Sequence, residues 1–331
     1  MKAVHLKGLG DASNLQVVDL PIPRPVSNQV LIQVEAAGVI FADTLLRRGT
    51  YVYRPAFPYV PGREVAGRIV EVGDGVTTHK VGDRVVAFMM GGGYSEYVAA
   101  DIANVGTPEG LKLGRVIFPI GNGVSAEQAV SHGSNLRIAH LILHGRANAK
   151  SGQRVLLHAA SGGVGAHLTR LARAHGMEII ALAGSAEKAG YCKDNGAHHV
   201  VLYKERDYAE AVLELTGGKG VHLSINSIGA DTFSKDAAIL LPEGELLITG
   251  KAAGLGSIEP ARFSKSLTYK HFASYIHFGR PEDDVACNYV SEQLQAPSHA
   301  DRVVRFPLAD VQLAHEALES GSNFGKIVLI P

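Results

Sequence analysis

The segment Ala160-Ser161-Gly162-Gly163-Val164-Gly165 constrains this chain more than any other. It follows an apolar run, Val155-Leu156-Leu157-His158-Ala159, and leads into residues 166–175, where Leu168, Leu171 and Ala172 recur at helical spacing. A strand that turns through glycines straight into a helix presents backbone N–H groups and a helix N-terminus at close range. A pyrophosphate needs both, and only glycine leaves room for its approach. Ala160 stands where the G-x-G-x-x-G pattern has its first glycine. Such turns also serve packing alone, and the residues C-terminal to this one decide between the two uses. Ile179-Ile180-Ala181-Leu182-Ala183 reads as the next strand and residues 186–195 as the next helix, ended by Gly196. His199-Val200-Val201-Leu202 (strand), residues 208–215 (helix), Leu223-Ser224-Ile225 (strand) and Glu245-Leu246-Leu247-Ile248-Thr249-Gly250 (strand) continue the series. Alternation with short links predicts a parallel sheet with helices on both faces, a Rossmann-like dinucleotide-binding unit.

The chain before this unit reads differently. Val30-Leu31-Ile32-Gln33-Val34-Glu35-Ala36 is a strand candidate, after a Pro21, Pro23, Pro25 run that no central strand accommodates. Residues 65–72, closed by Gly73-Asp74-Gly75, and residues 84–88, after Val81-Gly82-Asp83, are two more. Short strands between Gly, Asp and Pro turns indicate a mostly antiparallel β-domain. The tail, Gly325-Lys326-Ile327-Val328-Leu329-Ile330, is a strand able to return to that domain. The expectation is therefore an α/β chain: a β-rich domain from residues 1–122 and 263–331, with a Rossmann domain of residues 123–262 inserted.

With 331 residues, two domains are the natural count. Lys plus Arg and Asp plus Glu number 32 each, and this balance argues against a chain built to grip nucleic acid or anionic lipid. No run approaches the ~20 apolar residues of a bilayer span, and Met1-Lys2-Ala3-Val4-His5 lacks an apolar signal region, so no membrane role and a cytoplasmic location are expected. Cys192 and Cys287 are too few for a disulfide framework or a cysteine-based zinc site.

The end of the second Rossmann strand bears on which dinucleotide binds. NAD sites usually carry an Asp or Glu there for the ribose hydroxyls. This chain has Ala183-Gly184-Ser185, with Lys188 one turn on and Tyr203-Lys204 after the third strand. Those groups suit a 2′-phosphate through charge and hydrogen bonding, so NADPH is the expected cofactor. Glu187 is the contrary residue, though at a helix start it also complements the macrodipole.

Taken together, Ala36-Ala37-Gly38-Val39, Asp43, Arg47, Gly49-Thr50-Tyr51, Pro58-Tyr59-Val60-Pro61-Gly62, Glu64-Val65-Ala66-Gly67 and Gly93-Tyr94-Ser95-Glu96-Tyr97 carry a resemblance. Residues 159–165, Asn195-Gly196-Ala197, residues 215–221, Ser227-Ile228-Gly229 and residues 325–329 extend it in one order from end to end. The chain resembles the medium-chain dehydrogenase/reductase superfamily, and within it the zinc-free quinone oxidoreductase (zeta-crystallin-like) family. The resemblance implies a GroES-like β-domain built from both chain ends, an inserted Rossmann domain and NADPH. Relatives commonly form dimers by joining Rossmann sheet edges, which implies a homodimer. Along the cofactor it places Ser161, Gly162, Gly163, Val164 and Gly165, then Gly184, Ser185, Lys188 and Tyr203. It adds Ser227, Gly250, Lys251 and His271, and near the C-terminus Asn323, Gly325 and Lys326.

In zinc-dependent relatives the first metal ligand is a Cys in the segment that here reads Gly38-Val39-Ile40, and the second a His in Gly62-Arg63-Glu64. Ile40 and Arg63 cannot serve, so no metal is expected, and without a Lewis acid alcohol dehydrogenation is disfavoured. His140 and His144, four apart, are the one metal-like pair and read as ordinary helix residues. What remains is hydride transfer to an acceptor already electrophilic, a quinone or an α,β-unsaturated carbonyl. Tyr51 and Asp43 match family positions in the catalytic cleft, with Tyr51 the candidate hydrogen-bond donor and Tyr94 structural. Ile40 and Leu45 replace polar residues of relatives, which implies a more apolar pocket. His140 falls where an aromatic is common, and an ordinary histidine pKa there would suit proton donation to an enolate. Two alternatives stay open: an enoyl reductase acting on a thioester or biosynthetic intermediate, and a non-catalytic NADPH binder, since some relatives serve as lens crystallins or bind AU-rich RNA.

Overall fold

The computed structural model describes residues 1–102, 114–254, 256 and 265–331. In chain order, β1 (Lys2–Leu6) and β2 (Leu15–Asp19) precede the long β3 (Gln29–Val39), α1 (Phe41–Arg47), β4 (Glu64–Val72), β5 (Arg84–Phe88), β6 (Tyr97–Asp101) and β7 (Ile117–Pro119). Helix α2 (Ala126–His140) leads to β8 (Arg154–Leu157), α3 (Gly163–Ala174), β9 (Glu178–Ala183), α4 (Ala186–Asp194), β10 (His199–Leu202) and α5 (Tyr208–Leu215). Then come β11 (Val221–Asn226), α6 (Thr232–Ile239), β12 (Leu240–Ile248), β13 (Thr268–His271), α7 (Ser274–His277), α8 (Pro281–Gln295), β14 (Val303–Pro307), α9 (Val311–Glu319) and β15 (Lys326–Ile330). No helix among the described residues is long and apolar enough to cross a membrane.

Two compact units result: Met1–Arg137 with Phe278–Pro331, and Ile138–His277. The second holds a parallel sheet in the order β10-β9-β8-β11-β12-β13. Its central strands, with Val155, Leu156, Ile179, Ile180 and Ala181 all at zero exposure, are apolar on both faces, as a sheet covered by helices on both sides requires. The other unit holds a sheet in the order β14-β15-β3-β4-β5-β7, with β6 also on β3. Here β15 pairs antiparallel with β3, Val328 opposite Gly38, so the C-terminal strand does close the N-terminal domain.

The joints fall later than 122/123 and 262/263. Up to Arg137, α2 is held by the first unit: Ser134 donates to Glu64 of β4, and Arg137 forms an ion pair with Asp283 of α8 at 2.5 Å. At the other joint, β13 pairs with β12 and so belongs to the parallel sheet.

Within the β-rich unit one buried ion pair spans three strands. Glu64, at the start of β4, and Lys326, at the start of β15, are 1% and 3% exposed and pair directly. The intervening strand β3 passes between them with Gly38, and a Cβ at Gly38 would overlap the Glu64 carboxylate. Glycine is required here for space rather than for conformation. Removing one member of such a pair strands the other charge in a low-dielectric interior, which costs roughly 3–5 kcal/mol. We expect Lys326→Ala to lower the free energy of unfolding by about that amount. Lys326→Met combined with Glu64→Gln is expected to recover most of the loss. Chemical denaturation of the three proteins checks this, and a near-neutral Lys326→Ala would refute it.

Candidate functional site

In the unit Ile138–His277 the glycine-rich turn lies at the C-terminal end of β8. Gly162 caps α3 with extended backbone, and the Gly162 N–H closes the turn on the Ala159 carbonyl at 2.9 Å. Gly165 lies so close to that carbonyl that any Cβ would overlap it, which explains the glycine by close helix–strand packing. Ala160 in place of the first glycine is accommodated because the left-handed position falls one residue earlier, on Ala159 at φ 49°. The first N–H groups of α3 lack intrahelical partners by construction, and with the helix dipole they favour an anion. Ser161, Gly162, Gly163, Val164 and Gly165 thus form this turn and the start of α3.

The second group gathers at the end of β9. Ser185 caps α4, its hydroxyl accepting from the Lys188 N–H at 3.3 Å. A Cβ on Gly184 would sit 2.9 Å from the Tyr203 hydroxyl, so that phenol lies over the glycine. Burial holds the Lys188 ammonium below its ordinary pKa, and the neighbouring Lys204 pushes it the same way, with Cys192 and Glu187 opposing. Two repelling ammonium groups beside a capped serine and a phenol form a place where a phosphate dianion would relieve an existing strain. Ser227, Gly250 and Lys251 follow the paired ends of β11 and β12, where Asn226 is opposite Ile248, and Ala252 N–H donates to the Ser227 carbonyl at 3.1 Å. His271, opposite Ile248 at the end of β13, is exposed at the same edge. These groups lie along the carboxyl ends of the parallel strands, on either side of the switch between β8 and β11, where open α/β sheets bind ligands.

Asn323, Gly325 and Lys326 belong to the other compact unit. Lys326 corrects its expected role: its buried ammonium is committed to Glu64 and is not available to a phosphate. His140 also departs from expectation. Its ring packs on His144 at 4.7 Å, and His144 packs on His175 at 5.4 Å. Burial, then the His144 charge, lowers the His140 pKa to about 4, so at neutral pH it is not the proton donor that an ordinary histidine pKa suggested.

In the β-rich unit Tyr51 is half-buried, and the guanidinium of Arg63 lies over its ring, 4.8 Å from the centroid. Arg63 also reaches the Met90 sulfur at 3.2 Å, while the Tyr59 hydroxyl donates to the Met90 carbonyl. Burial opposes the Arg63 charge, but Tyr51, Asp43 and Tyr59 outweigh it, so the guanidinium stays protonated. This cation was visible in the sequence only as a residue unable to bind zinc. Its tyrosine partner is twelve positions earlier in the chain, with no spacing signal to join them.

Asp43 is 2% exposed. Its carboxylate accepts from the Ile40 N–H at 3.2 Å and from the Tyr94 hydroxyl at 2.9 Å, so it fixes the start of α1 and seats the fully buried Tyr94. It positions neighbours rather than facing a ligand. Burial raises its pKa from 3.8 to about 6, against the opposing pull of Arg63, Tyr94 and the Ile40 N–H. Between those two values the folded chain retains a proton that the unfolded chain has released. Asp43 therefore favours the fold at low pH and loses that contribution as pH rises through 6, by about 3 kcal/mol in total. Asp43→Asn is expected to gain stability relative to the parent between pH 4 and 7. Denaturant titrations of both proteins across that range measure the gain, and a difference independent of pH would contradict the assignment.

Comparison with known proteins agrees with this geometry. The "Alcohol dehydrogenase GroES-like domain" family matches residues 26–136, and the "Zinc-binding dehydrogenase" family matches residues 163–283. The human quinone oxidoreductase is 36% identical over 100% of this chain and 98% of its own length. The Escherichia coli quinone oxidoreductase, solved in complex with NADPH, superposes with a TM-score of 0.89 at 28% identity over 100% of both chains. The CurK enoyl reductase superposes with a TM-score of 0.84 at 25% identity over 99% of this chain and 98% of its own. The second family is named for zinc, yet Ile40 offers an alkyl chain and Arg63 a charged guanidinium over Tyr51, so the residues present do not fit a catalytic metal at those positions. By sequence over its whole length and by fold, the chain belongs to the quinone oxidoreductase family of the medium-chain dehydrogenases/reductases.

Proposed function

We propose that this oxidoreductase uses NADPH to reduce a quinone or the conjugated double bond of an α,β-unsaturated carbonyl compound, without a catalytic metal. The observation that carries the reading is the replacement of a metal-ligand position by Arg63, a permanent cation stacked on Tyr51. For the cofactor, support comes from the Gly162–Gly165 cradle together with the Lys188 and Lys204 ammonium groups and the small, uncharged Ala183-Gly184-Ser185 where an NAD site would carry an acid. When bound, NADPH supplies the hydride with its electron pair. The chain's task is then to bind, align and stabilise charge. Ser161 to Gly165 hold the pyrophosphate, and Gly184, Ser185, Lys188, Tyr203 and Lys204 hold the 2′-phosphate.

On the acceptor side, hydride addition leaves negative charge on a carbonyl oxygen. Arg63 offsets that charge and the Tyr51 hydroxyl donates to the oxygen, with a proton from solvent completing the hydroquinone or the saturated carbonyl compound. A thioester enoyl substrate is a second reading, favoured by the likeness to the CurK enoyl reductase and by the apolar Ile40 and Leu45.

Loss of NADPH absorbance with 1,4-benzoquinone, an enone panel and an enoyl thioester tests the assignment directly. Tight NADPH binding with no turnover on any acceptor would refute it in favour of a non-catalytic binder. Lys188→Ala is expected to weaken NADPH roughly 10- to 100-fold while leaving NADH nearly unchanged, the loss of one charge-assisted contact. Equal effects on both cofactors would remove Lys188 from the phosphate site. Arg63→Gln is expected to lower kcat/KM for the acceptor by roughly 100-fold, and Tyr51→Phe by about 10-fold, with the NADPH dissociation constant unchanged in both. Full activity in Arg63→Gln would exclude the electrophilic role.

A further inference from the structure

Apart from the cofactor and acceptor groups, His132, His299 and Asp301 offer three ligand atoms that all lie within 4.8 Å of one another. All three belong to the β-rich unit. His132 sits in the middle of α2 and is fully buried, while His299 and Asp301 lie on the connection between α8 and β14. The Asp301 carboxylate faces both rings, with Oδ2 at 3.3 Å from His132 Nδ1 and Oδ1 at 3.5 Å from His299 Nε2. The two rings are close, 4.9 Å between centroids and tilted by 31°.

We propose that these three side chains form a zinc-class divalent metal site, two imidazoles and one carboxylate with water in the fourth position, distinct from the catalytic zinc position of relatives. Zinc–nitrogen and zinc–oxygen bonds of about 2.0–2.1 Å set tetrahedral edges of about 3.3 Å. The His132 Nδ1–Asp301 Oδ2 separation of 3.3 Å matches that edge and exceeds the ~2.7–3.2 Å usual for an N–H···O hydrogen bond, while His299 Nε2 faces the other carboxylate oxygen at 3.5 Å. The surroundings fix each ligand as metal sites require. Ser131 donates its hydroxyl to Asp301 Oδ2 at 2.7 Å. The Gln128 side-chain amide clamps the Asp301 backbone from both sides, donating to its carbonyl and accepting from its N–H, each at 2.8 Å. The Ser298 hydroxyl lies 3.0 Å from His299 Nδ1, engaging that nitrogen and leaving Nε2 toward the cluster. His132 Nδ1 is 3.0 Å from the Gln128 carbonyl, so metal entry there replaces a proton shared with that oxygen. The Arg302 guanidinium, next in sequence, lies over the Phe324 ring at 4.0 Å. A bound ion would tie α2 to the α8–β14 connection, and no step of the reduction requires it.

The full-length protein, dialysed against a chelator and then titrated with Zn²⁺ or Co²⁺, provides the test. The expected result is one metal per chain by elemental analysis, with cobalt giving the intense visible bands of four-coordinate geometry. His299→Ala is expected to weaken uptake by roughly 100-fold or more, and its partly exposed ring makes the variant one that folds, as circular dichroism will verify. His299→Cys is expected to restore binding with a sulfur-to-cobalt charge-transfer band, which a merely packed histidine would never yield. His144→Ala is expected to leave uptake intact. Absence of stoichiometric uptake by the parent, or equal uptake by parent and His299→Ala, would overturn the site.

Discussion

The contact on which the β-rich unit most depends is the buried pairing of Glu64 with Lys326 across the bare backbone of Gly38. It joins the first residue of β4 to the first residue of the C-terminal strand, and Ser134 extends it to α2. One carboxylate thus holds three parts of the chain that are far apart in sequence. Arg63, the residue before Glu64, lies over the Tyr51 ring at 4.8 Å.

Charged side chains feature in both candidate groups. In the β-rich unit a guanidinium occupies a zinc-ligand position of relatives, and a guanidinium keeps its charge at any physiological pH without needing a coordination sphere. In the parallel-sheet unit two ammonium groups repel each other beside Ser185. The two differ in kind: burial and Lys204 disfavour the Lys188 charge, whereas Tyr51, Asp43 and Tyr59 together hold the Arg63 charge in place.

Much of this was readable from the chain alone. Strands β5 and β10 and helix α5 fall on the residues that alternation and apolar spacing indicate, and the return of the last strand to the first domain agrees with its place after the Rossmann series. The glycine turn between β8 and α3 was legible because it is local to one strand–turn–helix unit. What escaped was pairing at a distance. Lys326, placed along the cofactor by the resemblance, is instead paired with Glu64. His140 looks like an acid until His144 and the surrounding burial are known. His132 lies far in sequence from His299 and Asp301, and only the packing of α2 against the α8–β14 connection brings the three together. The domain joints moved for the same reason, since the contacts of Ser134 and Arg137 outweigh the change in sequence character near residue 122.

The alanine at position 159 has one more consequence. A side chain held at φ 49° costs about 1 kcal/mol relative to glycine, yet it also forbids most of the other shapes that glycine would sample. The loop ahead of α3 is thereby narrowed in the shapes open to it, so a ligand that needed this shape would lose less main-chain entropy on binding than at a glycine hinge.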